Sequence, residues 1–343
     1  MSTIKQIVNY FHKHKKFIIL KKRIPQHSAM ILFVGTPLVD IIVNVGHDFL
    51  EKYKLSPDSA TRCTPELEGI FKHVQVLEIF VHDYFKDILL YNPILQPGGS
   101  VTNTARVFQW VSKRTYPITF FGAVGDDQFG NIIKDTFKVE EIHSHLVEMK
   151  GHKTGTCAVL LTEDYRSLVC NMGASKLLSV ECLDEALWKH VNKASYLYMS
   201  AFLLGPVNMG TIKELVNYFH KHKKFIFLNL AAPFLCDKYP NEVLFLFEHA
   251  DMVFGNESEY RALSNISKVQ KSDLKDLLPD LNKRFSNKPL RTLVMTRGNK
   301  SVLVLNNGLL EQFETDQLEE EKIVDTNGAG DAFVGGYLTQ YMR

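Results

Sequence analysis

A glycine-rich stretch near the C-terminus places a carboxylate beside a turn that could hold an anion: Asp325 to Asp331 read DTNGAGD. Gly328 and Gly330 leave room for backbone N–H groups to converge at the start of a predicted helix, whose dipole also attracts an anion. Asp331 would repel that anion unless it takes a proton from a nucleophile approaching the same point. This combination suits phosphoryl transfer, in which one carboxylate acts as base beside a held phosphate. The alternative is an ordinary glycine-rich helix cap with an acid in its first turn.

Two polar segments earlier in the chain follow predicted strands or begin a predicted helix, and open α/β sheets bind ligands at such positions. Asp40 follows the apolar strand predicted from Ile31 to Gly35, and a carboxylate beyond the carboxyl end of a strand can hold paired sugar hydroxyls. The segment from Gly98 to Asn103 (GGSVTN) opens a helical pattern, with Ser100 as its predicted N-cap and glycines that allow close approach of a ligand. Each segment also has a purely structural interpretation. Asp40 could be an acid in a turn, and the segment from Gly98 to Asn103 could be a capped helix start that binds no ligand.

Short apolar segments alternate with helical patterns through the middle of the chain. The strands and helices predicted there are, in order, 198–204, 207–222, 225–232, 241–250 and 252–255. Such alternation implies right-handed crossovers and a mostly parallel sheet covered by helices. Residues 154–171 are predicted to form a hairpin that turns at 163–165 and carries Arg166. One interpretation is that the guanidinium of Arg166 clamps a transferring phosphoryl group. The alternative is that Arg166 is an ordinary solvent-exposed arginine on a strand.

The N-terminal region contains a copy of an internal segment. Residues 3–20 (TIKQIVNYFHKHKKFIIL) return at 211–228 as TIKELVNYFHKHKKFIFL. Each copy is predicted to form an amphipathic helix followed by a strand, and a single duplication is not the periodicity of a solenoid. We therefore interpret residues 1–29 as an N-terminal extension before one domain at 30–343, with a targeting signal around residues 21–23 (KKR) as the alternative.

The composition is that of an intracellular protein with no polyanionic partner. Of 343 residues, 45% are hydrophobic and 23% are charged, and the formal net charge is +2, so no global charge favours nucleic acid or a membrane surface. No apolar run reaches the length of a membrane span, and the N-terminus lacks the features of a secretion signal. The five cysteines are scattered without a C-x-x-C pair and suit a reducing compartment. We expect a soluble cytoplasmic protein, with the nucleus as the alternative location.

Several ordered motifs resemble those of the ribokinase-like (PfkB) sugar and nucleoside kinases. The sequence from Asp325 to Gly336, DTNGAGDAFVGG, is similar to the family signature, and its wording is most similar to the adenosine-phosphorylating branch. Further stretches that resemble family motifs begin at Gly98 (GGSVTN), Phe120 (FFGAVGDDQFG), Asn256 (NESE) and Met295 (MTRG). The resemblance extends over about residues 30–343, and several motifs in the same order make chance a poor explanation.

The resemblance implies a fold and a reaction. The fold is α/β, a ribokinase-like three-layer α/β/α sandwich with a mostly parallel central sheet and a small β lid within about residues 36–66 and 150–172. The reaction moves the γ-phosphoryl group of ATP to the 5′-hydroxyl of adenosine and gives AMP, as in purine salvage. ATP and Mg²⁺ would be required. The resemblance leaves open whether K⁺ is a further cofactor. The partners would be the small molecules adenosine and ATP.

The resemblance also implies roles for individual residues. Asp331 would be the catalytic base, Arg166 the phosphate clamp, and Gly328, Ala329 and Gly330 the anion hole. The residues implied to bind the nucleoside are Leu38, Asp40, Gly98, Gly99, Ser100, Asn103, Leu168, Cys170, Phe202, Phe234 and Asn327. The residues implied to meet ATP and its metal are Asn256, Thr296 and Gly298 at the phosphates and Glu259 at a water-bridged Mg²⁺.

Three departures from the family pattern leave the acceptor and the activity open. Thr36 replaces an asparagine, and Ala60 and Arg62 stand where the family presents an amide and an apolar side chain to the base. The chain stops at Arg343, whereas relatives continue with segments that form part of the ATP adenine pocket, one wall of a cation site near Asp325 and a cover for the sheet. We expect a monomer, with association through uncovered apolar surface as the alternative. The alternative functions are a kinase for another nucleoside or a sugar, and a catalytically impaired nucleoside-binding isoform.

Overall fold

The computed structural model describes residues 29–56, 60–70, 93–162, 166–285, 288, 291–317 and 328–343. Residues 1–28, which hold the first copy of the repeat, lie outside these ranges, as do the hairpin tip at 163–165, Asp325 and Asn327. No helix in the described part of the chain is long and apolar enough to cross a membrane.

Nine of the described strands form one large sheet, whose order is β14-β13-β12-β11-β10-β9-β1-β5-β6 when all strands are numbered along the chain. The strands are β1 (Ile31–Val34), β2 (Leu38–Asn44), β3 (Ala60–Arg62), β4 (Ile94–Gly98), β5 (Ile118–Gly125), β6 (His143–Met149), β7 (Gly155–Leu161), β8 (Arg166–Asn171), β9 (Tyr196–Ser200), β10 (Phe225–Asn229), β11 (Met252–Asn256), β12 (Thr292–Arg297), β13 (Lys300–Asn306) and β14 (Leu309–Phe313). Neighbours from β12 to β6 pair in parallel, whereas β13 and β14 are antiparallel. The mostly parallel central sheet predicted from the alternating pattern is confirmed.

Helices cover both faces of this sheet. The described helices are α1 (His47–Lys52), α2 (Ser100–Val111), α3 (Gln128–Val139), α4 (Glu185–Lys193), α5 (Asn208–Lys221), α6 (Pro233–Lys238), α7 (Pro240–His249), α8 (Glu257–Ile266), α9 (Leu274–Arg284) and α10 (Ala329–Met342). Successive residues of β1 face opposite sides, because Ile31 and Phe33 lie in one buried cluster and Leu32 and Val34 in another. The first cluster includes residues of α2, α3 and α10, and the second includes residues of α4, α5, α7, α8 and α9. The three-layer α/β/α sandwich is therefore confirmed.

The internal copy of the repeated segment folds as predicted. In α5, Ile212, Leu215, Val216 and Phe219 are buried at the i, i+3, i+4, i+7 spacing of one helix face. The chain then turns through Lys223, which has a φ of 54°, and enters β10 beside β9. The segment thus supplies one helix–strand unit of the sandwich.

A second, smaller sheet contains the strands β3, β8, β7, β2 and β4 in that order. The predicted hairpin is confirmed, because β7 and β8 pair antiparallel. Four of its strands fall within the ranges predicted for the lid, whereas β4 lies outside them and pairs with β2. The sequence did not predict β4 because Pro97 interrupts it, and proline is tolerated here because β4 is an edge strand.

Candidate active site

A cavity of about 330 Å³ lies between the small sheet and the carboxyl ends of strands in the large sheet. Asn229 and Asn256, which end β10 and β11, line it from one side, and Asp40 lines it from the small sheet. The carboxyl ends of strands are where open α/β sheets bind ligands. The predicted site residues that line this cavity are Leu38, Asp40, Gly99, Ser100, Asn103, Arg166, Leu168, Cys170, Phe202, Phe234, Asn256, Glu259, Thr296, Gly328, Gly330 and Asp331.

The remaining predicted site residues are not among the described residues that line the cavity. Asn327 is outside the described residues. Gly98 lies against Asp40, and Ala329 begins α10 between two glycines that line the cavity. Gly298 is exposed in the turn between β12 and β13, with a φ of 59°, so the described structure does not bring it to the cavity wall.

Asp331 lies in the first turn of α10, the helix that the glycine-rich stretch begins. Its Oδ1 accepts a 2.7 Å hydrogen bond from the hydroxyl of Ser100, and its Oδ2 accepts a 3.2 Å bond from Nδ2 of Asn103. Burial raises the pKa of Asp331 to about 6, although these hydrogen bonds and the charge of Arg166 lower it. A carboxyl with this pKa is largely ionised at neutral pH and can still take up a proton, as a general base requires.

Ser100 does not cap its helix, so that prediction is wrong. The N-cap of α2 is Gly99, which has a φ of 96°, and Ser100 is the first helical residue. A Cβ at position 99 would lie 2.4 Å from the carbonyl oxygen of Thr36, so the position requires glycine for steric as well as conformational reasons. The hydroxyl of Ser100 consequently reaches Asp331 instead of its own helix.

Asp40 is a buried carboxylate on β2, with 6% of its surface exposed. The pairing of β2 with β4 brings it beside Gly98, where a Cβ would lie 2.3 Å from the Cγ of Asp40. Any side chain at position 98 would therefore displace the carboxylate. Asp40 and Asp331 line the same cavity, so a group suited to sugar hydroxyls and a candidate base share one space.

The N-terminus of α10 fits a phosphate group. Gly328 is the N-cap, with a φ of 69°, and no side chain in the described part of the chain caps the helix. No atom of the described residues lies within 4 Å of the position that a Cβ would take at Gly330, so that side of the turn is open with respect to them. First-turn amides, a helix dipole and open space are what a phosphate requires. Arg166 lines the same cavity from β8 and adds positive charge.

Glu259 and Asn256 form a capping box at the start of α8. Oε2 of Glu259 accepts a 2.9 Å hydrogen bond from the backbone N of Asn256, and Oδ1 of Asn256 accepts a 2.9 Å bond from the backbone N of Glu259. Burial raises the pKa of Glu259 to about 7, with a smaller upward effect from the charge of Asp331. Because both capping residues also line the cavity, a structural role and a role near phosphates are compatible.

The described carboxylates at the cavity suit a Mg²⁺ ion that is held partly by water and by phosphate oxygens. Among the described residues, no group of three or more His, Cys, Asp or Glu side chains could hold a metal ion by itself. Mg²⁺ usually keeps several waters and binds through one or two carboxylates plus substrate phosphates. Glu259 offers one carboxylate at the cavity wall for that purpose.

Phe202 and Phe234 form an aromatic wall of the cavity, with ring centroids 6.4 Å apart. Leu168 and Cys170 line the cavity from β8. Aromatic and aliphatic surface of this kind suits the faces of a nucleobase.

Cys170 forms a disulfide with Cys157, which also lines the cavity. The two residues lie directly opposite each other on β8 and β7. Cys63, Cys182 and Cys236 are free thiols. The scattered spacing of the cysteines did not predict this bond, because the pairing depends on the register of two strands. The bond does not agree with the reducing compartment that the spacing indicated.

Other cavity residues were missed by sequence reasoning. Asn229 and Ala231 line the cavity after β10, and the backbone N of Ala231 donates a 3.1 Å hydrogen bond to Oδ1 of Asn229. Ala231 has a φ of 70°, a conformation that non-glycine residues seldom adopt and that tends to occur at functional sites. The available signal was their position at the carboxyl end of a predicted strand. Two residues that depart from the family pattern, Thr36 and Arg62, line the cavity as well.

The fold and the site together define a class of protein. A parallel sheet carries a smaller sheet over its carboxyl ends, and an open helix N-terminus lies beside a hydrogen-bonded carboxylate in the cavity between them. These are the parts that a kinase needs to transfer a phosphoryl group to an alcohol.

Comparison with known proteins agrees with this class. The chain belongs to the pfkB family of carbohydrate kinases, whose sequence profile matches residues 92–343. The adenosine kinase of Dictyostelium discoideum is 30% identical over 317 residues, which cover 92% of this chain and 88% of that protein. The family predicted from the sequence motifs is therefore confirmed.

Solved structures are similar over the same extent. Anopheles gambiae adenosine kinase in complex with P1,P4-di(adenosine-5) tetraphosphate has a TM-score of 0.80 at 29% identity, covering 91% of this chain and 89% of that chain. Schistosoma mansoni adenosine kinase in complex with 2-fluoroadenosine has a TM-score of 0.81 at 26% identity, covering 92% of this chain and 90% of that chain.

Proposed function

We propose that this protein transfers the γ-phosphoryl group of ATP to the 5′-hydroxyl of adenosine, giving AMP and ADP. The observation that carries the proposal is the position of Asp331, which Ser100 and Asn103 hold at an open helix N-terminus in the cavity shared with Asp40. The relatives support the choice of acceptor, because the compared proteins are adenosine kinases and two were solved with adenosine derivatives.

The nucleoside would occupy the part of the cavity nearest the small sheet. Asp40 would accept hydrogen bonds from the ribose hydroxyls, since it is a buried carboxylate that Gly98 leaves in place. Gly99, Ser100 and Asn103 would meet the same sugar from the start of α2. The base would lie against the rings of Phe202 and Phe234 and the side chains of Leu168 and Cys170.

Asp331 would take the proton of the 5′-hydroxyl while that oxygen bonds to the γ-phosphorus. The bond between the γ-phosphorus and the bridging oxygen breaks, and ADP leaves with its electron pair. The backbone N–H groups at Gly328, Ala329 and Gly330 would stabilise the negative charge on the transferring oxygens. Arg166 would clamp the same group, because a guanidinium binds two oxygens at once.

The ATP phosphates would lie near Asn256 and Thr296, and Gly298 stays a proposed contact that would require the β12–β13 turn to approach them. Glu259 would hold Mg²⁺ through water, and the ion would neutralise phosphate charge. A K⁺ site would depend on Asp325, which is outside the described residues. We further propose that residues 30–343 form one kinase domain that acts as a cytoplasmic monomer, with the small sheet as its lid.

The direct test is an assay of phosphorylated product formed from ATP and Mg²⁺ with a panel of acceptors. The panel contains adenosine, inosine, guanosine, cytidine, ribose and fructose, and products are separated by chromatography. We expect adenosine to have the highest kcat/KM. A higher value for another acceptor would replace adenosine as the substrate. Adenosine binding by calorimetry with no product from any acceptor would instead identify a catalytically impaired binder.

A further inference from the structure

Arg62 bridges the small sheet and the domain built on the large sheet. Its Nη1 donates a 3.1 Å hydrogen bond to the hydroxyl of Tyr239. Its Nη2 donates to the carbonyl oxygens of Phe202 at 3.2 Å and Leu204 at 3.1 Å. The guanidinium also lies over the ring of Tyr239, 5.4 Å from its centroid. Each contact spans at least 140 positions of sequence, so each one joins separate parts of the fold.

These contacts lie at the β3 edge of the small sheet. The opposite edge, β4, is the one that connects to α2. β3, which ends at Arg62, is one edge strand of the sheet, and β4 is the other. β4 passes through Gly99 directly into α2, so the chain itself fixes that edge. β3 is bound to the rest of the sheet by its short parallel pairing with β8. The hydrogen bonds of Arg62 therefore hold the β3 edge of the small sheet to segments packed on the large sheet.

One partner of Arg62, Phe202, belongs to the cavity wall, and the other two lie close to it in sequence or between neighbouring helices. Phe202, whose carbonyl oxygen accepts one bond, lines the cavity with its ring beside Phe234. Leu204 ends the same short 3-10 turn after β9, and Tyr239 lies between α6 and α7. Arg62 itself lines the cavity. One side chain thus holds β3 over the cavity and fixes the turn that carries an aromatic wall residue.

We propose that Arg62 is a positioning residue that latches the small sheet over the nucleoside during phosphoryl transfer. The proposal rests on the proposed nucleoside kinase activity. Arg62 acts through β3 and Phe202, and it does not touch the reacting atoms. A latched sheet keeps the nucleoside bound and excludes water, which would otherwise attack the γ-phosphorus and release inorganic phosphate with ADP.

The contacts require a guanidinium. Its two terminal nitrogens reach acceptors on different elements at once, and its Cζ lies 5.4 Å from the centroid of an aromatic ring. A lysine would supply one ammonium group and could satisfy only part of this set. Arg62→Lys is therefore compared with Arg62→Ala, because lysine keeps the positive charge but lacks the two terminal nitrogens of the guanidinium.

The kinetic test compares the wild-type protein with Arg62→Ala, Arg62→Lys, Tyr239→Phe and the control Arg114→Ala. Arg114 forms an exposed pair with Glu141, 2.7 Å apart, away from the cavity. For Arg62→Ala we expect KM for adenosine to rise by about 10-fold to 100-fold, the scale of one or two charge-assisted hydrogen bonds. Inorganic phosphate released per AMP formed should also rise. Arg62→Lys and Tyr239→Phe should give smaller rises, and Arg114→Ala should match the wild type.

A second measurement reports on the latch without any activity. Hydrogen–deuterium exchange of the ligand-free proteins should be faster for peptides covering β3 and the turn after β9 in Arg62→Ala, and unchanged in Arg114→Ala. If Arg62→Ala matches the wild type in both exchange and KM, the latch is overturned while the kinase proposal stands. If the wild type phosphorylates no acceptor, the kinase proposal fails, and faster exchange at β3 would still support the latch as a closure of the cavity.

Discussion

The hydroxyl of Ser100 donates a 2.7 Å hydrogen bond to Oδ1 of Asp331, across 231 positions of sequence. The bond joins the first turns of α2 and α10, and each helix begins after a glycine with positive φ, Gly99 and Gly328. Asn103 donates to the second oxygen from one turn further along α2. The carboxylate is thus oriented by protein groups before a substrate binds, which is the preorganisation that a general base requires.

Replacement of this carboxylate tests its role as base. Asp331→Asn should lower kcat for AMP formation by at least about 100-fold, because the amide cannot accept the hydroxyl proton. Calorimetry should show adenosine binding largely intact, since Asp40 and the aromatic wall remain. Asp135→Asn, an exposed substitution on α3, is the matched control and should leave both quantities unchanged. Normal turnover in Asp331→Asn would refute the assignment.

The pH dependence follows from the ionisation of the same group. The pKa of Asp331 is raised to about 6, so its basic form is lost as pH falls through that value. We expect kcat/KM for adenosine to begin to fall near pH 7, where Glu259 also takes up a proton, and to fall at least about tenfold per pH unit well below 6, because kcat/KM reports the free enzyme. Ser100→Ala should move the acidic decline of kcat/KM to higher pH, because the hydrogen bond from Ser100 lowers the pKa of Asp331. A profile that is flat down to pH 5 would contradict the assignment.

Arg166 is expected to act on the chemical step. Arg166→Ala removes a guanidinium from the cavity wall and should lower kcat by about 100-fold, the scale of one lost charge-stabilising donor. Arg166→Lys should recover part of this loss. The measurement is kcat together with the free energy of unfolding in urea. If Arg166→Ala chiefly destabilises the fold, the interpretation as a structural strand arginine is correct.

The space at Gly98 tests the ribose site. In Gly98→Ala the new Cβ would lie 2.3 Å from the Cγ of Asp40, so the carboxylate must move. We expect KM for adenosine to rise and the free energy of unfolding to fall by about 1–3 kcal/mol, as for other overpacked sites. Gly205→Ala is the control, because no atom of the described structure lies within 4 Å of its Cβ position. An unchanged KM in Gly98→Ala would argue that Asp40 does not meet the sugar.

The disulfide predicts a thiol count. Alkylation of the unfolded protein without reductant should modify Cys63, Cys182 and Cys236, and prior reduction should add Cys157 and Cys170. In the native protein Cys236 should react slowly, because burial raises the pKa of its thiol to about 12. Peptide mass spectrometry identifies the modified residues. Five modified thiols without reductant would show that Cys157 and Cys170 are not bonded.

Local pattern was sufficient for much of this protein. The apolar runs and their alternation with helical segments predicted the parallel sheet, and the spacing in residues 211–228 predicted the α5–β10 unit. The glycine-rich stretch identified Gly328 and Asp331 at the start of a helix, and short motifs identified the family. These features could be read from the sequence because each depends on residues that are close together in the chain.

The tertiary structure alone decided which distant groups meet. It made Ser100 a partner of Asp331 instead of a helix cap, opposed Cys157 to Cys170, and gave Arg62 its acceptors on the large domain. Gly298 was brought to an exposed turn and not to the cavity wall. Each outcome depends on strand register or on how two sheets pack together. Such relations are set by the burial of the whole core, and no local spacing encodes them.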